Sequence, residues 1–385
     1  MISIQRKLDI AKEAEKKSIF LFGPRQTGKT FLLHHLFPEA KFYNLLLSDT
    51  FFELSQKPSL LREELTAMAK KKPFRSPVII DEIQKLPILL DEVHNLIESL
   101  GIRFVLTGSS PRKLRRGGYN LLGGRARERH LFPLSFAEIP EFSLEKVLTV
   151  GSLPSIYFSD EPNEDLISYC GTYLQQEIQV EGAVRNIENF SRFLKTAACV
   201  NTELLNYESI ALDARVPART IREYFAVLED TLIGKTVEPY KKTPNRKAVS
   251  KGKFYFFDLG VCNCLAGITH VPPQSALFGK AFEHCIFTEL RSYGEYRKDR
   301  RPLTFWRDIY GNEVDFLVGD EIALEVKATD LVQQKHLRGM RILSSELKLK
   351  HKLVVSRDTN PRSIDDILIL PVQEFLNRLW DGEFQ

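Results

Sequence analysis

Residues 23–30 constrain this chain more than any other segment, because they read G-x-x-x-x-G-K-T between a strand-like run and a helical pattern. Residues 19–22 are apolar and of strand length, and the helical pattern of residues 31–36 ends before Pro38. Glycines let backbone N–H groups close around phosphate oxygens, and the start of a helix adds positive potential. The order strand, loop, helix therefore predicts a parallel α/β domain that binds phosphate.

The loop is predicted to hold ATP together with Mg²⁺ as cofactors. In such a loop Lys29 bridges the β- and γ-phosphates, and Thr30 reaches the metal ion. The sequence contains nothing like the N/T-K-x-D motif that reads guanine, so adenine is favoured by exclusion. The predicted nucleotide-binding residues are Gly23, Pro24, Arg25, Gln26, Thr27, Gly28, Lys29 and Thr30.

A second motif lies in residues 77–82, an apolar strand that ends in two carboxylates. Asp81 is predicted to hold the Mg²⁺ hydration shell and Glu82 to polarise the attacking water, so the pair predicts hydrolysis as well as binding. A further apolar strand, residues 103–110, ends in small polar side chains. Those side chains fit a phosphate or water sensor, and they fit ordinary turn residues equally well.

Length and composition bound the remaining possibilities. A chain of 385 residues predicts two to four domains, and 43% hydrophobic with 27% charged residues is typical of a fully folded protein. No apolar run approaches the roughly 18 residues of a membrane span, which predicts a cytoplasmic protein without a membrane partner. Five cysteines without a C-x-x-C pair indicate neither a disulfide framework nor a zinc site.

These segments resemble the bacterial and archaeal AAA-type ATPases whose members begin with a G-P-R-Q-x-G-K-T loop. The matching segments are residues 23–30, 78–85, 104–110 and 123–136. The resemblance implies a carboxy-terminal domain of unknown function. It also implies an arginine-rich segment around Arg125, of which one arginine contacts the γ-phosphate, in cis or from a neighbouring subunit. Arg125 is accordingly predicted to be catalytic. Structural ion pairs are the alternative for Arg125, Arg127 and Arg129.

Residues 166–179 and 190–199 are predicted to be helical and to form a connector or lid. Next come a short helix at residues 207–214 and a second helix at residues 218–229, an outline of a helix-turn-helix. Residues 240–253 hold six Lys or Arg and no acid between two strand-like segments. This order predicts a winged-helix domain with a basic hairpin tip.

A basic wing beside a recognition helix is the arrangement that neutralises DNA phosphates, so DNA is a predicted partner. Winged helices also bind proteins or cover ATPase domains, and that interpretation stays open. The predicted DNA-binding residues are Arg219, Arg222, Lys241, Lys242, Arg246 and Lys247.

Four residues of the carboxy-terminal part resemble the PD-(D/E)xK site of the restriction-endonuclease-like nucleases. Asp315 and Glu325 would hold a divalent metal, Glu283 would complete the site, and Lys327 would orient the attacking water. The chain departs from the pattern at Val314, where the family has proline. A hairpin loop at residues 319–321 would pair Asp315 with Glu325, and a shorter loop would not, so the nuclease hypothesis predicts the three-residue loop.

The predicted fold is therefore α/β throughout, with four domains. They are an AAA-like P-loop domain at residues 1–145, a helical connector at 146–194, a winged helix at 195–258 and a restriction-endonuclease-like domain at 259–385. The leading hypothesis is an ATPase that acts on DNA. The alternatives are a signalling or scaffold ATPase, self-associating or bound to a protein partner, whose last domain does not cleave, and a transcriptional regulator with ATP as its ligand.

Overall fold

The computed structural model describes residues 4–116, 122–173 and 186–384. They form two compact units. The amino-terminal unit contains Gln5–Phe132 and Asp230–Leu232, and the carboxy-terminal unit contains Ile4 and the described residues of Pro133–Glu229 and Ile233–Gln385. The predicted boundaries between the four domains stay predictions. In the described parts of the chain, no helix has both the length and the apolar character needed to cross a membrane.

A five-stranded parallel sheet forms the centre of the amino-terminal unit. Its strands are β1 (Ser18–Phe22), β2 (Phe42–Asn44), β3 (Val78–Asp81), β4 (Phe104–Gly108) and β5 (Ala126–His130), in the order β2-β3-β4-β1-β5. Every residue of β1, β3 and β4 is buried, as expected of a parallel sheet covered on both faces. The predicted parallel α/β domain is confirmed.

Helices surround this sheet. The α-helices are Ala11–Ala14, Lys29–Leu36, Ser48–Gln56, Ser59–Lys71, Leu89–Leu100 and Arg112–Arg116, and two 3₁₀ turns span Ile83–Lys85 and Leu122–Gly124. The helix Leu89–Leu100 shows how they attach. Its buried residues Leu89, Val93 and Leu96 recur at the spacing of one helix face, so that face packs against the hydrophobic core.

The first part of the carboxy-terminal unit consists of helices and a two-stranded hairpin. Its α-helices are Leu144–Val150, Pro154–Tyr157, Pro162–Ser168, Ile187–Cys199, Tyr207–Ala214, Ala218–Asp230 and Leu259–Leu265, the 3₁₀ turn is Phe136–Glu138, and the hairpin strands are β6 (Gly234–Val237) and β7 (Lys253–Phe256). The helix predicted at residues 207–214 and the start of the next at Ala218 match these bounds.

The helix predicted at residues 166–179 needs a correction. The α-helix ends at Ser168, and Tyr169–Tyr173 continues as a π-helix. Gly171 lies in this stretch, and glycine lowers α-helix stability by about 1 kcal/mol relative to alanine. Residues 174–179 of the prediction lie outside the described residues.

A six-stranded mixed sheet forms the rest of the carboxy-terminal unit. Its strands are β8 (Leu303–Arg307), β9 (Glu313–Val318), β10 (Ile322–Lys327), β11 (His351–Ser356), β12 (Arg362–Ile364) and β13 (Ile367–Pro371), in the order β12-β13-β11-β10-β9-β8. The accompanying helices are Ala276–Arg297, Gln334–Leu337 as a 3₁₀ turn, Arg338–Glu346 and Val372–Asp381.

The β9–β10 hairpin has the predicted register. Ile322 pairs with Val318 and Leu324 pairs with Phe316, which leaves the three residues 319–321 in the loop. The same register, continued by one residue, places Asp315 opposite Glu325. The three-residue loop is therefore confirmed, and the two carboxylates lie side by side at the end of the hairpin.

Candidate nucleotide site and carboxylate cluster

The glycine-rich loop joins β1 to the helix Lys29–Leu36. Lys29 Nζ donates to the carbonyl oxygens of Gly23 at 2.7 Å and Pro24 at 3.0 Å, so its ammonium lies over the loop. Gly28 has a φ of +89°, a conformation that glycine adopts readily. A Cβ at Gly23 would lie 2.2 Å from the Leu131 carbonyl oxygen, so a larger residue does not fit there.

Arg6 fixes this loop from outside the motif. Its Nη1 donates to the Thr27 carbonyl oxygen at 2.7 Å, and its Nη2 donates to the Phe132 carbonyl oxygen at 2.6 Å. The guanidinium therefore ties the loop to the segment that follows β5. This residue was absent from the predicted site, because a single arginine far upstream of the loop belongs to no local pattern.

Asp81 lies at the end of β3 and is held by two hydroxyl groups. Thr30 Oγ1 donates to Asp81 Oδ2 at 2.8 Å, and Thr107 of the neighbouring strand β4 donates to Asp81 Oδ1. The backbone N–H of Glu82 donates to the same Thr107 hydroxyl at 3.1 Å. A hydroxyl and a carboxylate in contact are suited to a Mg²⁺ ion that keeps most of its water, so these residues fit the predicted metal.

Glu82 follows with a φ of +61°, a left-handed conformation that is uncommon for a residue with a side chain. Its Oε2 accepts a hydrogen bond of 2.6 Å from Gln84 Nε2, which also lies 3.3 Å from Ser109 Oγ. Burial raises the pKa of Glu82, and the nearby charges of Lys29 and Arg25 act against that rise. Gln84 was absent from the predicted site.

Two buried polar atoms in the segments that follow β3 and β4 have no hydrogen-bond partner in the described structure. They are Oε1 of Gln84 and Oγ of Ser110. Buried polar atoms are rarely left unpaired, because each costs roughly 1–3 kcal/mol. Both atoms are therefore available to a ligand or to water. The small polar residues at the end of β4 therefore have different partners. Thr107 donates to Asp81, Ser109 lies against Gln84, and the hydroxyl of Ser110 has no partner in the described structure.

Arg125 does not lie near the loop of its own chain. Ser18 pairs with Ala126 and Phe22 pairs with His130, so Arg125 precedes the amino end of β5 while the loop follows the carboxyl end of β1. Six residues of extended strand separate the two levels, about 20 Å at roughly 3.3 Å per residue. The prediction of a γ-phosphate contact in cis is therefore wrong. Arg125 instead pairs with Glu98, and a contact from a neighbouring subunit stays a prediction.

The other two arginines of this segment pair with Glu13. Arg129 is buried, with Nη2 at 2.6 Å and Nε at 3.1 Å from the two carboxylate oxygens, and Arg127 Nη1 lies at 3.4 Å. The two hydrogen bonds of Arg129 make a forked ion pair of the strong kind. For Arg129 the structural alternative therefore holds.

The basic hairpin tip is largely tied to the carboxy-terminal sheet. Tyr240 N–H donates to the Phe305 carbonyl oxygen at 2.6 Å, and Val249 N–H donates to the Arg307 carbonyl oxygen at 2.9 Å. Two of its charged residues also pair with acids. Lys242 lies 3.6 Å from Asp320, and Arg246 lies 3.3 Å from Asp308 and 3.7 Å from Glu346, whereas Lys241 and Lys247 are exposed.

The two arginines of the predicted recognition helix are exposed and paired with acids. Arg219 lies 3.4 Å from Glu223, and Arg222 lies 3.2 Å from Glu208. Such exposed pairs are weak, at about 0–1 kcal/mol, so both arginines can exchange partners. The helix surface is nonetheless not a strongly basic one.

The four predicted nuclease residues come together at one end of the carboxy-terminal sheet. Asp315 Oδ2 accepts from the Val326 N–H at 2.8 Å, and Lys327 pairs with Glu325. Burial raises the pKa of Glu325 to about 8, with a further contribution from Asp315. Its Oε2 is among the buried atoms that have no partner in the described structure.

Glu283 projects from the helix Ala276–Arg297 into the same cluster. Tyr255 donates its hydroxyl to Glu283 Oε1 at 2.6 Å, and Lys253 Nζ donates to the same atom at 2.9 Å. Burial raises the pKa of Glu283 to about 7, although Lys253 acts against the rise. Lys253 was predicted to belong to the exposed basic tip, and this is wrong. It lies in β7, whose alternate residues face the sheet, and its side chain is 5% exposed.

Lys253 contacts more than one carboxylate. Its Nζ lies 2.5 Å from Glu313 and 4.0 Å from Asp315, in addition to Glu283. Burial would lower the pKa of Lys253, but Glu283, Asp315 and Glu313 outweigh it and raise that pKa. The described residues contain no group of three or more His, Cys, Asp or Glu placed to hold a metal ion. The carboxylates of Glu283 and Glu313 are instead paired with an ammonium group, and the metal at Asp315 and Glu325 stays a prediction.

Residues 15–140 match a family model described as an AAA domain. These residues form a P-loop ATPase domain. The match covers the loop, Asp81, Glu82 and the strands that position them, and so it agrees with the geometry of the site. Two further models, each described as a domain of unknown function, match residues 141–271 and residues 278–375.

Relatives that match along most of the chain carry the P-loop ATPase domain together with the carboxy-terminal half. An uncharacterized protein of Mycobacterium tuberculosis is 22% identical over 370 residues, which are 93% of this chain and 80% of that protein. An uncharacterized protein of Methanocaldococcus jannaschii is 23% identical over 393 residues, covering 90% and 82% of the two chains. The similarity therefore extends over most of this chain in a bacterial and an archaeal protein.

Solved structures show a weaker likeness. The Walker-type ATPase of Pyrococcus abyssi has a TM-score of 0.45 and 14% identity, covering 67% of this chain and 95% of that one. A signal transduction ATPase with numerous domains and a tetratricopeptide repeat sensor, from Pyrococcus horikoshii, has a TM-score of 0.25 and 15% identity, covering 77% and 48%. Because both TM-scores are below 0.5, the assignment of a P-loop ATPase domain depends on the geometry of the site and on the family match.

Proposed function

We propose that the chain hydrolyses ATP at the P-loop site. The observation that carries this is the contact of Thr30 with Asp81, with Glu82 next to it and Lys29 over the loop. Loop N–H groups and Lys29 bind the phosphates, and Thr30 and Asp81 hold Mg²⁺, which supplies charge neutralisation. Glu82 takes up a proton from the attacking water or orients that water, and burial raises its pKa, which favours proton uptake.

Two variants test this function. Lys29→Ala removes the phosphate contact and is expected to abolish ATP binding and turnover, whereas Glu82→Gln keeps the shape of the side chain and is expected to bind ATP without turnover. ATP binding by filter retention and phosphate release under single-turnover conditions distinguish the two effects. Normal turnover in Glu82→Gln would assign the water-orienting role to another residue, and normal turnover in Lys29→Ala would refute the site.

We further propose that the carboxy-terminal half uses a winged-helix surface of its own to bind a partner. The observation that favours this is the order of two helices, Tyr207–Ala214 and Ala218–Asp230, followed by the β6–β7 hairpin. Three lysines of the hairpin tip, Lys241, Lys247 and Lys251, remain exposed, and no ion pair of theirs is found in the described structure. DNA is the partner that such a surface would take, with ATP hydrolysis acting on the bound state.

Salt dependence tests DNA as the partner. If the three lysines contact phosphates, their joint replacement by alanine should weaken duplex DNA binding and lower the slope of log K against log salt by about 3. The matched control is the triple alanine replacement of Lys70, Lys71 and Lys72, which removes the same charge from an exposed part of the P-loop ATPase domain. Equal loss in both variants, or no DNA binding by the wild type, would favour the signalling or scaffold alternative.

A further inference from the structure

The cation at the centre of the carboxy-terminal carboxylate cluster is the side chain of Lys253. Its Nζ lies 2.5 Å from Glu313 Oε1, 2.9 Å from Glu283 Oε1 and 4.0 Å from Asp315 Oδ1. Three carboxylates from a helix and a strand thus converge on one ammonium group. The arrangement balances negative charge in the way that a divalent ion does in a nuclease of the family that this segment resembles.

The ammonium cannot share that position with a metal. A hard divalent cation needs carboxylate oxygens at about 2.0–2.6 Å. The ammonium lies 2.5 Å from Glu313 and 2.9 Å from Glu283, so it excludes such a cation from these two oxygens sterically and by charge. A metal ion bound through Glu283 or Glu313 would therefore require Lys253 to leave.

The backbone holds Lys253 in place. It pairs with Val237 in the β6–β7 ladder and forms a bridge with Leu204, and its Nζ also lies 5.4 Å from the centre of the Phe305 ring. Phe254 and Phe256, which flank Tyr255 in the same strand, are fully buried. The backbone of Lys253 is therefore fixed beside buried core residues, and its side chain starts from a fixed position near Glu283 and Glu313.

We propose that Lys253 permanently replaces the metal ion of this nuclease-like cluster, which makes the cluster an ion-pair junction between hairpin and sheet. The Lys253 ammonium faces Glu283, Glu313 and Asp315, and Lys327 contacts Glu325. The carboxy-terminal domain then binds its partner without cleaving nucleic acid. This inference is independent of ATP hydrolysis, which involves residues of the other unit.

Thermal unfolding with and without Mn²⁺ tests the replacement. Both tryptophans of the chain, Trp306 and Trp380, lie in the carboxy-terminal unit, so their fluorescence reports on this unit and not on the P-loop ATPase domain. Lys253→Met keeps the length of the side chain and removes the charge. It is expected to lower Tm by several degrees, and Mn²⁺ is expected to restore Tm in this variant and leave the wild type unchanged.

The double variant Lys253→Met with Asp315→Asn is the control, and its Tm should no longer respond to Mn²⁺. The proposal is overturned if Mn²⁺ stabilises the wild type but not Asp315→Asn, or if wild-type protein cleaves plasmid DNA with Mn²⁺ and Asp315→Asn does not. It is also overturned if Lys253→Met is as stable as the wild type and does not respond to Mn²⁺. If Lys253→Met does not fold, the proposal is supported when Mn²⁺ changes the Tm of neither the wild type nor Asp315→Asn.

Discussion

The side-chain amide of Gln84 donates a hydrogen bond from Nε2 to Oε2 of Glu82 across 2.6 Å. This contact fixes the carboxylate that the proposed hydrolysis needs. Gln84 also lies 3.3 Å from Ser109, the residue that follows β4, so the carboxylate is linked to the end of that strand.

Gln84→Ala is expected to lower the kcat of ATP hydrolysis about 10- to 100-fold with little change in KM. A hydrogen bond to a charged group contributes roughly 1.5–3 kcal/mol, which sets this range. Steady-state kinetics on the single variants and on Gln84→Ala with Glu82→Gln provide the check. Because Gln84 acts through Glu82, the double variant should be no slower than Glu82→Gln alone, and additive losses would contradict this role.

Gly108→Ala should reproduce the kinetic defect of Gln84→Ala. A Cβ at Gly108 would lie 2.6 Å from Gln84 Oε1, so the added methyl group would push the amide away from Glu82. Kinetics of Gly108→Ala in the wild type and in the Gln84→Ala background test this cause. The substitution should be nearly harmless once the Gln84 side chain is absent, and an equal loss in both backgrounds would point to a defect of β4 itself.

Gly339→Ala is expected to destabilise the carboxy-terminal unit by about 1–3 kcal/mol, as overpacking does. A Cβ at Gly339 would lie 1.9 Å from the Glu313 carbonyl oxygen, so the helix Arg338–Glu346 could not pack as closely on β9. The matched control is Gly279→Ala, a helical position with nothing within 4 Å of the added Cβ. Urea unfolding followed by tryptophan fluorescence compares them, and similar losses in both would refute the close contact as the cause.

Glu325→Gln should reduce the dependence of stability on pH. The raised pKa of Glu325, about 8 against an ordinary 4.5, means that the folded protein keeps a proton that the unfolded chain releases. Its contribution to the free energy of unfolding is complete below pH 4.5 and is lost as the pH rises towards 8. The advantage of the wild type over the variant should therefore shrink between pH 5 and 8 in urea titrations. A constant difference would contradict the raised pKa.

The sequence alone determined the elements whose pattern is local. The G-x-x-x-x-G-K-T loop, the strand that ends at Asp81 and the helices that start at Tyr207 and Ala218 were predicted from apolar periodicity and turn residues. For the β9–β10 hairpin the sequence left a two-residue and a three-residue loop open. The nuclease hypothesis predicted the three-residue loop, because only that register brings Asp315 to Glu325, and the structure has it.

Tertiary structure alone decided which side chains meet across large separations in the chain. No local pattern in the sequence indicates that Arg6 binds the loop, that Gln84 contacts Ser109 or that Lys253 lies among the carboxylates. Each of these contacts depends on how distant segments pair and pack. Arg125 shows the same in reverse. The family resemblance implied a contact with the γ-phosphate in cis or from a neighbouring subunit. The parallel pairing of β5 with β1 places Arg125 at the end of the strands opposite the loop of its own chain.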